Sequence, residues 1–226
     1  MAEQKEAPPQ NIEARLNNFE HWANENRKVL SIVVGGLFVV VAAYFGFTKL
    51  YLGPRNDEAN NQMFMAQKWF GMDSTRLALN GDGNFPGFLS IMDDYKWTDA
   101  ANLAHYYTGI IYLKQGKFQD AIDQLKEFNG KDKLVTDMAY GAMGDAYSEL
   151  GKNDDAVDYY KKAAYHFENE LLTPMYLKKA GMLLEFQKKN ADAAKLYQEI
   201  KDRYPNTNEG RDMDKYIARA EASSNT

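Results

Sequence analysis

The sequence has no cysteine and little proline, and each shortage narrows what the protein can be. Without cysteine, disulfide bonds and thiolate metal sites are excluded. Three of the six prolines precede residue 55, so the rest of the chain is free to form long helices. No stretch alternates apolar and polar residues as a half-buried strand does, whereas apolar positions recur about every 3.6 residues. These patterns predict an all-α protein.

Positive charge is also in short supply. Residues 54–226 contain 22 Lys and Arg against 27 Asp and Glu, a net charge of −5. An acidic surface repels phosphate backbones, and no predicted helix carries a basic stripe. We therefore expect no nucleic-acid partner. The 173 residues of this segment are enough for one domain with its own core.

Catalytic and metal-binding motifs are missing as well. The three histidines are not spaced as in a zinc-binding helix, no serine lies in a G-x-S-x-G elbow, and no phosphate-binding loop occurs. The segment 80–84 (NGDGN) resembles the start of a calcium loop, but Phe85 stands at its glycine position and Ile91 where a bidentate glutamate belongs. We expect a polar turn there and a packing role for His105. No catalytic residue, metal, cofactor or small-molecule substrate is expected.

One long apolar run stands out from this polar background. Residues 29–48 (VLSIVVGGLFVVVAAYFGFT) are twenty positions without a charge, closed by Lys28 and Lys49. A helix of that length spans about 30 Å, the thickness of a bilayer's hydrocarbon core. Two alternatives fit this segment less well. A cleaved signal peptide has a shorter apolar run followed by a cleavage site of small residues. A buried core helix would have a polar side, which this run lacks. We predict a transmembrane helix over residues 29–52.

The flanking charges predict which side of the membrane each end occupies. Four basic residues precede the apolar run, whereas two, Lys49 and Arg55, follow it closely. The positive-inside rule then favours an N-terminus in the cytoplasm and a C-terminal domain in the periplasm of a bacterium. The expected location is the bacterial inner membrane, crossed once.

Small residues form a stripe on one face of this helix. Gly35, Val39, Ala42 and Gly46 recur at helical spacing, and small side chains permit close contact with a neighbouring membrane helix. Ordinary membrane-helix composition explains the same residues, because glycine is common in such helices. The four residues are a candidate transmembrane packing face.

Two short segments precede the apolar run. Residues 1–10 contain few large apolar side chains and are expected to be disordered. Ile12, Leu16, Phe19 and Ala23 then recur at spacings of four, three and four, which predicts a short amphipathic helix. Its apolar stripe can lie on the cytoplasmic membrane face or dock on a partner.

Helical patterns separated by turn residues fill the segment after the apolar run. Gly53–Pro54 predicts the end of the membrane helix. Further helices are expected over residues 58–79 and 88–95, with a stretch rich in turn residues between them. Thr98 or Asp99 is expected to cap the next helix.

From residue 100 onward the sequence repeats itself. One unit contains Gly109, Tyr112, Gly116 and Ala121, and the same pattern returns 35 residues later and, less completely, 37 residues after that. Each unit predicts two antiparallel helices joined by a tight turn.

Small residues have a physical role in each unit. Gly109, Gly144 and Gly181 lie on the first helices and let the second helices approach closely. Gly116 and Gly151 suit the turn between the helices, where φ is often positive.

The third unit departs from this pattern. Leu184 replaces the aromatic residue, and Lys188 replaces the turn glycine. Thr173–Pro174 predicts an N-cap followed by proline in the first helical turn. A last helix is expected over residues 208–222.

This spacing resembles the tetratricopeptide repeat, an α-solenoid of antiparallel helix pairs. The resemblance implies three repeats over residues 100–206, followed by a solvating capping helix and tail over residues 207–226. Residues 54–99 would form a helical region before the repeats, which can itself be one degenerate repeat. Residues 1–28 would then be a cytoplasmic tail, and residues 29–52 the membrane helix.

In such repeats the first helices line a concave face. The residues expected there are Leu103, Tyr106, Ile110 and Leu113 in the first unit, Met138, Gly141 and Asp145 in the second, and Met175, Lys178, Met182 and Phe186 in the third. Methionine and aromatic side chains make an adaptable groove, suited to extended or helical peptide segments. The alternative is that a neighbouring helix covers most of them, because short arrays can cap their own groove.

The whole layout resembles the YfgM-like ancillary subunits of the bacterial Sec translocon, which combine a short cytoplasmic helix, one membrane span and a periplasmic repeat domain. The closest local likeness is the segment 19–30, FEHWANENRKVL, which leads into the span. The resemblance implies a non-enzymatic adaptor that binds Sec translocon subunits and periplasmic chaperones, in envelope protein export or quality control. An adaptor that coordinates cell-wall synthesis or division machinery could use the same groove.

Overall fold

The computed structural model describes residues 10–224, which form two compact units divided between Pro54 and Arg55. The regular structure of these residues is helical, and no strand occurs among them. The all-α prediction is confirmed. The disorder expected for residues 1–10 concerns a segment that, as far as residue 9, lies outside the described residues.

The first unit contains two helices and a π-helical segment. Helix α1 spans Gln10–Glu25, α2 spans Arg27–Gly46, and the π-helical segment spans Phe47–Leu52. Both the main-chain N–H and the side-chain amide of Asn26 donate hydrogen bonds to the carbonyl of Trp22, which closes the turn between α1 and α2.

Within the described residues, one helical stretch is long and apolar enough to cross a bilayer. It runs through Arg27–Gly71, and none of its most apolar 18-residue window is buried. A core helix of a water-soluble domain would bury such a surface. The exposure argues against a buried core helix and makes this segment a candidate membrane anchor.

Gly53 and Pro54 do not end the helical stretch. Helix α3 spans Gly53–Gly71, and the Gly53 N–H donates to the carbonyl of Thr48, five residues earlier. Proline has no N–H, and its ring crowds the carbonyl four residues before it in a regular α-helix. The wider π turn that precedes Pro54 accommodates this ring. The helix end predicted at this site is therefore wrong.

The second unit holds the remaining helices, which include three pairs joined by tight turns. They are the part of α3 from Arg55 onward, α4 (Thr75–Asn80), α5 (Phe88–Asp94), α6 (Asp99–Lys114), α7 (Phe118–Glu127), α8 (Lys133–Glu149), α9 (Asn153–Tyr165), α10 (Thr173–Phe186), α11 (Asn190–Arg203) and α12 (Met213–Ser224). Three residues join α6 to α7, α8 to α9 and α10 to α11. These pairs coincide with the repeated units of the sequence.

One glycine in each pair marks the closest approach of its two helices. A Cβ atom added to Gly144 would lie 2.6 Å from the Tyr160 ring. At Gly181 it would lie 2.4 Å from the Tyr197 ring. The first pair repeats this arrangement, with Leu125 against its glycine. No side chain larger than hydrogen fits at these positions without moving the facing residue, so the predicted role of the glycines is confirmed.

Two hydrophobic clusters form the core of the second unit. The larger cluster runs through the three pairs to α12 and includes Leu177, Ile200 and Met213. The smaller one joins α3, α4, α5 and α6. Tyr107 contacts both clusters, and its ring stacks on that of Phe88 at a centroid distance of 4.9 Å. The region before the repeats therefore packs directly onto the first pair.

The helix predicted over residues 58–79 is interrupted at residues 72–74. Asp73 adopts a φ of +56°, and the Ser74 N–H donates to the carbonyl of Trp69 at 2.8 Å. This closure ends α3 and redirects the chain into α4. Gly71 directly precedes the break, but the left-handed position is taken by Asp73 rather than by a glycine, and the apolar pattern continues through it, so this pattern predicts one continuous helix.

The structure confirms one predicted N-cap residue and contradicts another. Thr98 caps α6, because its hydroxyl oxygen accepts a hydrogen bond from the Ala101 N–H at 3.1 Å. Thr173 is not an N-cap, since α10 already includes it and its hydroxyl donates to the carbonyl of Ala164 at 3.0 Å. Pro174 does lie in the first turn, as predicted.

The last helix begins later than predicted. A short 3₁₀ helix spans Gly210–Asp212, and α12 follows from Met213. Met213 and Ala220 are fully buried, and Tyr216 and Ile217 pack beside them, so the apolar face of this helix was correctly predicted.

The turns of the three pairs share one backbone geometry. φ is +74° at Gly116, +71° at Gly151 and +60° at Lys188. In each turn the next N–H donates to a carbonyl five residues earlier, which closes the end of the first helix. Glycine adopts this conformation freely, whereas the side chain of Lys188 makes it unfavourable.

The substitution Lys188→Gly is expected to stabilise the repeat domain. A side chain in the left-handed region costs about 1–2 kcal/mol, and part of the gain is lost because glycine makes the unfolded chain more flexible. The free energy of unfolding should therefore rise by about 0.5–1 kcal/mol, measured by urea denaturation of the detergent-solubilised chain. The control is Lys189→Gly, where φ is −86°, and which should lower stability. Equal effects of the two substitutions would contradict the assignment of strain.

Candidate protein-binding groove

The predicted groove residues lie on α6, α8 and α10, the first helices of the three pairs. Four of them contribute mainly to the core. Tyr106 is 8% exposed, its ring centroid lies 5.5 Å from that of Phe128, and burial raises its pKa to about 12. Ile110, Leu113 and Met175 are partly buried and pack against the same hydrophobic cluster. These four side chains therefore offer a partner little surface.

A tyrosine of the third pair covers the groove at Gly141. A Cβ atom added to Gly141 would lie 2.1 Å from the Tyr176 ring, and this ring stacks on that of Tyr160 at 6.5 Å. The repeat pattern of the sequence does not predict this role of Tyr176. Its signal is the glycine at a groove position, which leaves room for a large ring from the next helix pair.

Asp145 is engaged by two neighbouring side chains. The Tyr160 hydroxyl donates to its Oδ1 at 2.7 Å, and Lys179 Nζ donates to the same oxygen at 2.6 Å. Burial, followed by the Asp145 charge, raises the pKa of Tyr160 well above its usual range, so this hydroxyl remains a donor. Because Lys179 lies on α10, the carboxylate joins the second pair to the third.

The ammonium group of Lys178 lies over an aromatic ring of α12, the last helix. Its Nζ lies 5.0 Å from the centroid of the Tyr216 ring, and the Arg219 guanidinium lies 4.8 Å from the same centroid. Arg219 also donates two hydrogen bonds to Glu185 of α10, at 2.9 and 2.5 Å. α12 therefore binds the third pair through charge as well as through apolar packing.

Three of the predicted groove residues are exposed. Met138 on α8 is 43% exposed, and Met182 and Phe186 on α10 are 49% and 76% exposed. Met182 and Phe186 are four residues apart, so they are neighbours on one face of their helix. We call these two side chains the α10 patch. Large apolar side chains grouped on a surface are typical of protein-binding sites.

Two of the three histidines, His105 and His166, are held by hydrogen bonds within the second unit. His105 Nδ1 lies 2.9 Å from Oε1 of Gln124, which agrees with a packing role. His166 Nδ1 lies 2.8 Å from Oδ1 of the fully buried Asp137. Between residues 10 and 224, no group of three His, Asp or Glu side chains is arranged to hold a metal ion.

The segment 80–84 forms a polar turn around Asp82. Its Oδ1 accepts hydrogen bonds from the N–H groups of Asn84 and Phe85, both at 2.9 Å. These two bonds lower the pKa of the Asp82 carboxyl. The carboxylate oxygen thus organises the loop itself.

The small-residue stripe of α2 is open. No atom lies within 4 Å of a Cβ added to Gly35 or Gly46, and Val39 and Ala42 are exposed. A neighbouring helix could therefore approach this face closely.

Comparison with known families identifies the repeated units. Two tetratricopeptide-repeat family models match the chain, one over residues 103–131 and one over residues 142–207. The chain contains tetratricopeptide repeats. The matched residues cover most of α6, the C-terminal part of α8, and the whole of α7, α9, α10 and α11. Repeats of this kind are interaction modules, and neither model indicates an enzyme. A search of curated proteins finds no match to the chain.

The buried carboxyl of Asp137 is expected to make stability depend on pH. Its Oδ2 has no hydrogen-bond partner among the described residues, and burial raises its pKa against the opposing bond from His166. A raised pKa in the folded state means that stability is lost as the pH rises through that pKa. Relative to Asp137→Asn, the unsubstituted chain should therefore lose stability from about pH 4 upward.

Thermal unfolding of both chains between about pH 4 and pH 8 checks this expectation. The melting temperature of Asp137→Asn, relative to the unsubstituted chain, should rise with pH. Asp158→Asn, an exposed carboxyl on α9, serves as the control and should show no such trend. A constant difference for Asp137→Asn would show that the buried carboxyl does not determine the pH dependence.

Proposed function

We propose that the chain is a membrane-anchored, non-enzymatic adaptor whose repeat domain binds segments of partner proteins. The α10 patch carries the proposal, because Met182 and Phe186 leave large apolar side chains in solvent within a tetratricopeptide repeat. Covering such side chains with a partner is favourable by about 25 cal/mol per Å² of apolar surface.

The side chains around the α10 patch suit this role in different ways. Methionine is flexible and polarisable, so Met182, together with Met138 on the preceding first helix, can adapt to different apolar residues. Glu185 and Lys179, in contrast, are fixed by ion pairs to other helices. A binding face on such a fixed helix loses little conformational freedom when a partner binds.

The apolar helix α2 is the proposed membrane anchor. The charge bias around it supports a cytoplasmic N-terminus and a periplasmic repeat domain. In α1, Leu16, Phe19 and Trp22 are all more than half exposed, which supports contact with the cytoplasmic membrane face. Protease added to spheroplasts should then digest the repeat domain and spare the N-terminal tail, and the reverse pattern would contradict this orientation.

Envelope protein export or chaperone-linked quality control is the proposed cellular process. The order of a short amphipathic helix, an apolar anchor and a repeat domain supports this process through its resemblance to the YfgM-like subunits. Sec translocon subunits and periplasmic chaperones would be the partners. Co-purification of proteins of cell-wall synthesis or division, without translocon subunits, would favour the other adaptor role.

Replacing Phe186 is expected to weaken partner binding. A photoreactive amino acid at Met182 should crosslink to translocon or chaperone subunits in intact cells. Phe186→Ala should reduce this crosslinking about tenfold, because a central aromatic contact is typically worth more than 1 kcal/mol. Phe64→Ala removes a similarly exposed ring from α3 and is the matched control. Unchanged crosslinking in Phe186→Ala, or an equal loss in the control, would remove the α10 patch from the proposal.

The small-residue stripe of α2 is proposed to contact a membrane helix of the partner. Replacing both Gly35 and Gly46 with leucine should then reduce co-purification in mild detergent several-fold, because the added side chains separate the helices. Leucine at Val33 and Val40, on the opposite face, is the control. An unchanged complex in the glycine variant would exclude this contact.

A further inference from the structure

Trp97 lies in the turn between α5 and α6 with a backbone that large side chains rarely adopt. Its φ is +68°, and its side chain is 75% exposed. Such a conformation is unfavourable for a bulky residue and persists only where the surroundings fix it, often at binding sites.

Hydrogen bonds on the C-terminal side of Trp97 hold this turn. The Thr98 N–H and hydroxyl both donate to the carbonyl of Tyr95, at 3.2 and 2.7 Å. The Asp99 N–H donates to Oδ1 of Asn56 at 2.9 Å, which joins the turn to α3. The backbone at Trp97 is therefore fixed while the indole is largely exposed, so binding a partner would have to order only the side-chain torsions of the ring.

A cleft of 660 Å³ lies beside Trp97 and is lined by residues of α5, α6 and α7 and of the segments that follow α5 and α7. Its walls are fixed by the pairing of His105 with Gln124 and by two hydrogen bonds between Asn102 and the main chain of Asn129, at 2.9 and 2.8 Å. This volume is within the range of small-ligand sites, about 300–1,000 Å³. None of the predicted groove residues lines the cleft, so it is separate from the α10 patch.

The charges of the cleft favour a cation. Its lining contains three carboxylates and two ammonium groups, and Lys131 is paired with Asp99 at 2.5 Å. Asp93 and Glu127 form no ion pair with any residue from 10 to 224. Lys96 is the other cation of the lining. The second unit as a whole is acidic, with the net charge of −5 noted for the sequence, so its field attracts basic segments.

We propose that Trp97 and this cleft form a second protein-binding site, which takes an arginine side chain of a partner protein. The guanidinium plane would stack on the exposed indole and donate hydrogen bonds to the carboxylates of Asp93 and Glu127. Arginine suits the site better than lysine, because its planar group stacks on a ring and bonds carboxylates at the same time. Phosphate groups are disfavoured by the three carboxylates.

A pair of matched peptides tests the proposal. The full chain in nanodiscs of zwitterionic lipid is titrated with acetyl-Gly-Arg-Gly-amide and with the same peptide containing citrulline, the neutral analogue of arginine. The chain has three tryptophans, so binding is followed by the part of the fluorescence change that Trp97→Gly abolishes, and by calorimetry for the variants. The arginine peptide should bind at least fivefold more tightly, and this preference should fall as salt is added.

Variants assign the binding to the cleft. Trp97→Gly removes the ring but suits the left-handed backbone, so the fold is retained and the arginine peptide should no longer bind. Asp93→Asn combined with Glu127→Gln should abolish the preference for arginine over citrulline. Phe186→Ala alters the α10 patch alone and should leave peptide binding unchanged, which separates this proposal from the proposed function.

Three results would overturn the proposal. The first is equal binding of the two peptides, which would indicate a neutral ligand such as a peptide main chain or a sugar. The second is the absence of saturable binding up to about 10 mM. The third is binding that survives Trp97→Gly but is lost in Phe186→Ala, which would place the peptide on the α10 patch.

Discussion

The contact between a glycine on one helix and a large side chain on the next is the constraint on which the repeat domain depends. Gly144 faces the Tyr160 ring and Gly181 faces the Tyr197 ring, each at a distance that an added methyl group would not allow. These contacts set how closely the helices of a pair approach. Between pairs, Gly141 receives the Tyr176 ring in the same way. Interlocked rings and glycines thus hold the array in one arrangement.

This arrangement separates the structural side chains from those available to partners. Tyr106 and Asp145 are engaged by their neighbours within the domain, whereas Met182 and Phe186 remain on the surface of a fixed helix. Trp97, in the turn before α6, is likewise an exposed side chain on a fixed backbone. The apolar helix of the first unit is a candidate membrane anchor for the chain that carries these surfaces.

The sequence predicts those features that depend on one helix or one turn. The period of glycines reveals the three pairs, and Gly116 and Gly151 mark their turns, because each requirement is local. Contacts between successive helix pairs could not be predicted in this way. The burial of Tyr106 and the role of Tyr176 depend on how successive pairs pack. The π turn depends on a hydrogen-bond shift before Pro54, and proline at that site is equally typical of a helix end.

A double-mutant cycle between Gly181 and Tyr197 tests this constraint most directly. Alanine favours a helix by about 1 kcal/mol over glycine, yet Gly181→Ala should lower the free energy of unfolding by about 1–3 kcal/mol, because its methyl group meets the Tyr197 ring. When Tyr197→Leu removes that ring, Gly181→Ala should cost at least about 0.5 kcal/mol less than in the unsubstituted chain. Additive effects of the two substitutions, or stabilisation by Gly181→Ala alone, would contradict the account.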